Sequence, residues 1–167
     1  MTGAYWGNGA ASMLTVGQEG PPLIEIDVDS DIWTVAFGVN GEYIVSGGDG
    51  LGVWRVEDGT RMATMKAWNV RSLAVSKDGK WIAAGTNNGH AFVWDANTFD
   101  QVFSHEEGFH DIVGVDFSPD STRLVTASKN RTASVWDIAA RDRALTLDHQ
   151  DWVIAAKYSR SNRDSHF

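Results

Sequence analysis

Two histidines in His105-Glu106-Glu107-Gly108-Phe109-His110 are the first residues whose types suggest chemistry. Paired histidines beside a glutamate can hold zinc and activate water, but a helical zinc pair shares one face at a spacing of four, and here a glycine interrupts a wider spacing. The segment therefore reads as a loop between strands with one structural histidine. Gly47-Gly48-Asp49-Gly50-Leu51-Gly52 has the glycine density of a phosphate cradle. Such cradles lead into a helix N-terminus, whereas this run continues into the β-type Val53-Trp54-Arg55-Val56, so a hairpin turn is expected. Glu25, Asp27, Asp29 and Asp31 form an acidic run that would attract a cation, yet alternation with apolar residues puts the first three on the solvated face of a strand and its exit. Asn130-Arg131-Thr132 is a glycosylation sequon without a secretory signal ahead of it. No Ser, His and Asp set stands in a nucleophile motif. The expectation is no catalytic residue, no metal and no cofactor.

Composition narrows the classes further. The formal net charge of −8 and the lack of any Lys/Arg cluster argue against a nucleic-acid footprint, which is driven by clustered cations. With no cysteine there is no disulfide frame, zinc thiolate or thiol nucleophile. No apolar stretch is long enough for a membrane helix, and Met1 to Gly20 lacks the basic start and apolar run of a signal peptide. A soluble cytoplasmic protein is expected, with the nucleus as the other compartment. Hydrophobic content of 43% and 17 glycines against 3 prolines suit a folded chain with many tight turns.

The elements that must position any site are short strands. Residues 1–22 are rich in glycine and small residues and are expected to be a loose leader. Leu23 to Val28 then alternates apolar and acidic residues, the pattern of a half-buried strand. Three units of four strands follow. The first runs through Ile32 to Phe37, Tyr43 to Gly47, Gly52 to Val56 and Arg61 to Met65. The second has Val70 to Val75, Trp81 to Gly85, Ala91 to Asp95 and Gln101 to Ser104. The third has Ile112 to Phe117, Leu124 to Ala127, Ala133 to Ile138 and Arg143 to Leu147. Turn dipeptides such as Asn40-Gly41, Asp78-Gly79 and Asn88-Gly89 separate the strands, and their usual hairpin form puts both residues at positive φ. Trp54, Trp94 and Trp136 close the third strand of each unit at spacings of 40 and 42 residues. A period near 40 with four strands per unit is the mark of a propeller blade. Val153 to Tyr158 reads as the first strand of a fourth unit, and 159–167 as a disordered tail.

Phe117-Ser118-Pro119-Asp120, the stretch Ser128 to Asp137 ending Val135-Trp136-Asp137, and the weaker endings Val93-Trp94-Asp95 and Val53-Trp54-Arg55 resemble the WD-repeat β-propeller family over about 23–158. The resemblance implies an all-β fold: a partial β-propeller of three four-stranded antiparallel blades with an extra strand at each end, strand one innermost. It also implies a scaffold that holds partner proteins or peptides on one loop face. The family's internal network joins a loop His, a Ser or Thr of strand two, an Asp of the next turn and the strand-three Trp. Carried over, it falls on His110, Thr126 or Ser128, Asn130 in place of the Asp, and Trp136. Units one and two lack the His, so incomplete networks are expected there.

Strand direction gathers the loops before strand one and between strands two and three on a common face. Trp68, Arg71 and Trp152 lead the partner-binding candidates there, because aromatics and Arg are favoured interface anchors, and Asn69, His110, Asp111, Lys129 and Arg131 join them. Packing between blades is the competing reading for Trp33 and Trp152. Three whole blades are fewer than a ring needs, so a fragment of a longer protein is expected, with open edges prone to self-association. The competing function is a propeller enzyme of the quinoprotein dehydrogenase kind, whose discs also repeat tryptophans. It would need a cofactor site near the central channel, and the units show no ligand cluster there.

Overall fold

The computed structural model describes residues 31–159 in full and three earlier strands, β1 (Thr2–Gly7), β2 (Ala10–Thr15) and β3 (Ile24–Asp27), as backbone. These three pair antiparallel in the order β1-β2-β3. β1 and β2 fall within residues 1–22, for which a loose leader was expected, and in the sequence Asn8-Gly9, a dipeptide that favours hairpins, stands between the paired Gly7 and Ala10.

Twelve strands then form three meanders. β4 (Ile32–Phe37), β5 (Tyr43–Gly48), β6 (Leu51–Arg55) and β7 (Arg61–Met65) make the first sheet. The second is β8 (Val70–Val75), β9 (Trp81–Thr86), β10 (His90–Asp95) and β11 (Gln101–Glu106). The third is β12 (Ile112–Phe117), β13 (Arg123–Ser128), β14 (Thr132–Asp137) and β15 (Asp142–Asp148). Each sheet is antiparallel in chain order, and β4, β8 and β12 lie side by side as the inner strands. The three sheets are thus blades one, two and three.

The central strands β5, β9 and β13 are buried on both faces, so their sequences are near-continuous apolar and small runs instead of alternating ones. Val45, Val53 and Met65 of blade one share a core with Ile82, Ala84 and Trp94 of blade two. One blade on, Ala83, Val93 and Phe103 pack with Leu124, Trp136 and Ile138 of blade three. One face of blade one therefore receives Trp94 of blade two, and one face of blade two receives Trp136 of blade three. Close approach fixes Gly85: a Cβ there would meet Ile112 Cγ2 at 2.5 Å and the Ile112 carbonyl oxygen at 2.8 Å. The outward side of blade three leaves Leu145, Leu147 and Ile154 exposed.

The turns differ in detail from the hairpin form expected. Gly41, Gly59, Gly79 and Gly89 have φ between +70° and +81°, but the Asn or Asp before each does not have positive φ. One left-handed residue at the end of the turn is enough, because most connections here are longer than two residues. Ser121 and Arg131 fill the same role in blade three at φ 59° and 74°. In the turns after β8 and β12, the hydroxyls of Ser76 and Ser118 donate to Asp78 and Asp120 at 2.7 and 2.5 Å.

Val153 to Tyr158 is extended but forms no strand. The Val153 N–H donates to the Ser128 carbonyl at 3.2 Å and the Tyr158 N–H to Asp116 Oδ2 at 3.0 Å, so the segment lies along blade three as an inner strand would. No second strand stands beside it among the described residues, and without a ladder the sheet pattern is not completed. Of the expected tail, only Ser159 falls within the described residues. The side chains of Glu25 and Asp27 and the whole of Asp29 fall outside them.

Candidate functional site

The loop face is built from the starts of the inner strands and the connections between strands two and three. Its backbone is stitched together. The Asp49 N–H donates to the Asp31 carbonyl at 3.2 Å, the Asn69 N–H to the Asp49 carbonyl at 3.4 Å, and the Asn87 N–H to the Asn69 carbonyl at 3.0 Å. Asn69 turns the chain into blade two at φ 54°, a region Asn tolerates better than most residues. In blade three the Lys129 N–H donates to the Asp111 carbonyl at 2.9 Å.

Each inner strand opens with a bulge, and the residue left out of the ladder is Trp33 in β4, Arg71 in β8 and Val113 in β12. A bulge re-aims the extra side chain. Trp33 and Arg71 come together in this way, the guanidinium lying 4.2 Å from the ring centroid. The pair bridges blades one and two, a contact the sequence analysis did not anticipate. Trp68 stands nearby in sequence, 66% exposed. A second group gathers at blade three, where Lys129 Nζ pairs with Asp111 Oδ2 at 2.8 Å and lies 5.6 Å from the Trp152 centroid. Trp152 is 61% exposed, so it does not pack between the blades described. Arg131 is exposed, and its carbonyl accepts the His149 N–H at 2.8 Å. Phe109 is exposed as well, a large apolar residue passed over in the sequence reading.

The tryptophan network has a different member from the one carried over. His110 is exposed, and Glu107, three residues earlier, enters blade three instead. Its Oε1 accepts from Thr126 Oγ1 and from Trp136 Nε1, the latter at 3.1 Å. Asn130 Nδ2 donates to the Glu107 carbonyl at 2.7 Å. Ser128 is not on the tryptophan; its hydroxyl accepts the Asn130 N–H at 3.2 Å. His105 stacks on Trp136 at 4.3 Å, and its Nε2 is 3.0 Å from the Arg141 carbonyl oxygen, while the Arg143 guanidinium lies 4.6 Å from the Trp136 centroid. The two histidines of the apparent zinc motif are thus put to separate uses. Geometry fits the substitution: β11 is the outer strand of blade two and faces blade three through His105, and the Glu107 N–H, fixed to the Gly89 carbonyl at 2.7 Å, holds residue 107 at the end of that strand.

The other networks are smaller. Trp54 Nε1 donates to Ser46 at 2.7 Å with Arg61 over the ring, and a cleft lined by Asp31, Ser46, Trp54, Arg61 and Thr64 borders them. In blade two, Thr86 Oγ1 donates to Asn88 Oδ1 at 2.6 Å.

The chain as a whole is similar to known proteins. The WD40 family profile, described as WD domain, G-beta repeat, matches residues 22–51, 59–95 and 99–137. The mouse WD repeat and SOCS box-containing protein 1 is 31% identical over 142 residues, covering 83% of this chain and 30% of that protein. A WD repeat-containing protein of Deinococcus radiodurans is 29% identical over 119 residues, 63% of this chain and 45% of its own length. The crystal structure of RRP9 WD40 repeats superposes with a TM-score of 0.72 at 24% identity, covering 78% of this chain and 42% of that one. The chain spans less than half the length of each of these. With three repeats in register and three four-stranded blades packed face to face, this chain belongs to the WD40 repeat family.

Proposed function

We propose that this chain is a protein-interaction scaffold whose loop face holds a partner protein or peptide, with Trp68, Arg71 and Trp33 as the first anchor group and Trp152 with Lys129 as the second. The observation that carries this reading is Trp68, a tryptophan 66% exposed in the loop that leads into β8, three residues before the Arg71 that caps Trp33. Exposed Trp and Arg on a rigid support are what interface hot spots are made of, since little side-chain freedom is lost on contact. Scaffolding is also the general role of the family. Among the described residues, no group of three or more His, Cys, Asp or Glu side chains converges to hold a metal ion.

A photo-crosslinking residue placed at 68, at 152 or at the opposite-face position 97 tests it. The same partner should be captured from 68 and 152 and not from 97, and Arg71→Ala should abolish capture while lowering the melting curve by no more than the loss of one exposed cation–π contact, about 0.5–1 kcal/mol. Equal capture from 97, or no dependence on Arg71, would reject the assignment.

A further inference from the structure

Glu107 is only 7% exposed, yet both donors to its carboxyl group are neutral and both reach Oε1. Its Oε2 is buried and without a hydrogen-bond partner, and so is the Ser134 hydroxyl of the neighbouring strand. No Lys, Arg or His pairs with Glu107 among the described residues. The surroundings supply few charges. From β15, Arg143 lies over the Trp136 ring; from β11, His105 stacks on the same ring; Lys129 of the adjoining turn is taken by Asp111. From β13 and β14 come only hydroxyls and the indole N–H. A buried ionised carboxylate needs donors on both oxygens and a charge to offset its own, whereas a neutral carboxyl needs no counter-charge, and the Ser134 hydroxyl, which can donate or accept, serves either state.

We propose that Glu107 is a protonation latch between blades two and three: neutral, it pins the end of β11 into the Trp136 network, and ionised, it strains that join and the loop of residues 107–111 on the binding face. Burial pushes the Glu107 carboxyl above the usual glutamate range, against the opposing pull of Thr126, Arg143, Trp136 and Ser134. A group raised in the folded state contributes stability that is present below its unfolded value and is lost as pH rises through the folded one. The latch is therefore tightest in acid and slackens as pH rises through the raised value of the folded state.

Carbon-detected NMR titration of the Glu107 carboxyl in the wild-type chain reads this directly. A midpoint above the ordinary glutamate value of about 4.3 is expected, and a midpoint at or below it overturns the proposal. Urea unfolding of wild type and Glu107→Gln at pH 4 and pH 8 gives a second reading. Gln keeps the Oε1 acceptor and offers Ser134 a donor, so the ratio of the two unfolding constants should change by about tenfold for each unit by which the carboxyl is raised. An identical ratio at both pH values overturns the latch, and the titration decides alone if the variant does not fold.

Discussion

Replacing Trp136 separates what its ring contributes from what its N–H contributes. The side chain is 1% exposed, stacked by His105 at 4.3 Å and capped by Arg143 at 4.6 Å, so Trp136→Ala opens a cavity at the join of two blades. Large-to-small changes of buried Trp cost about 3–5 kcal/mol. Trp136→Phe keeps an aromatic ring but deletes the donor to Glu107 and Thr126, which still bond to each other, and leaves a smaller cavity where the five-membered ring was. Together these losses should cost about 1–2 kcal/mol. With a urea dependence of about 2 kcal/mol/M, the Ala variant should unfold roughly 1.5–2.5 M earlier and the Phe variant about 0.5–1 M earlier. Far-UV circular dichroism in urea, fitted with unchanged slopes, measures both. The reasoning fails if Trp136→Ala shifts the midpoint by no more than Trp136→Phe does. It also fails if the Ala variant loses a partner while its unfolding curve stays where it was, for then Trp136 would be a contact residue.

Two further outcomes follow from the packing and the turns. Gly85→Ala should destabilise the chain by about 1–3 kcal/mol, because its Cβ would collide with the Ile112 backbone and side chain, and a shift of the thermal midpoint checks it. Asp120 is held at about 2 by the Ser118 hydroxyl and then by the N–H and hydroxyl of Thr122. A depressed carboxylate stabilises the fold above its unfolded value and ceases to do so as pH falls through the folded one. NMR of the Asp120 carboxyl should therefore show ionisation persisting down to about pH 2, and Asp120→Asn should flatten stability between pH 4 and pH 2.

The twelve blade strands were legible because two local signals agree: β-type runs of about six residues and Gly, Asn or Asp turns at regular distances. Burial on both faces hid the alternation expected of strands, but the recurring tryptophans supplied the register. Glu107 was not legible. A loop residue joins the network only by virtue of where β11 ends against the next blade, and that is a tertiary distance. A faint signal existed, since aligning β7, β11 and β15 on Arg61, Gln101 and Arg143, the residues paired with the three tryptophans, puts Ala67, Glu107 and His149 at one position. Trp33 with Arg71 escaped for a similar reason. Only a bulge makes neighbours of two residues on different blades, and a bulge leaves no residue type as its mark. The exposed tryptophans at 68 and 152 were found because they stand in loops where no strand pattern claims them.

The tail of β11 belongs by pairing to blade two and by function to blade three: His105 and Glu107 clamp a tryptophan one sheet away. The unit of cooperativity is then offset from the unit of pairing by one strand. A splice or recombination point placed between sheets, at residue 108 or thereabouts, would transplant a blade without its clamp. A crossover in the turn between strands three and four, near Asn97, would carry clamp and tryptophan together. Shuffled or consensus arrays built from this chain should keep that phase, and the same offset means that unfolding begun at one blade loosens the next before its own ladder is broken.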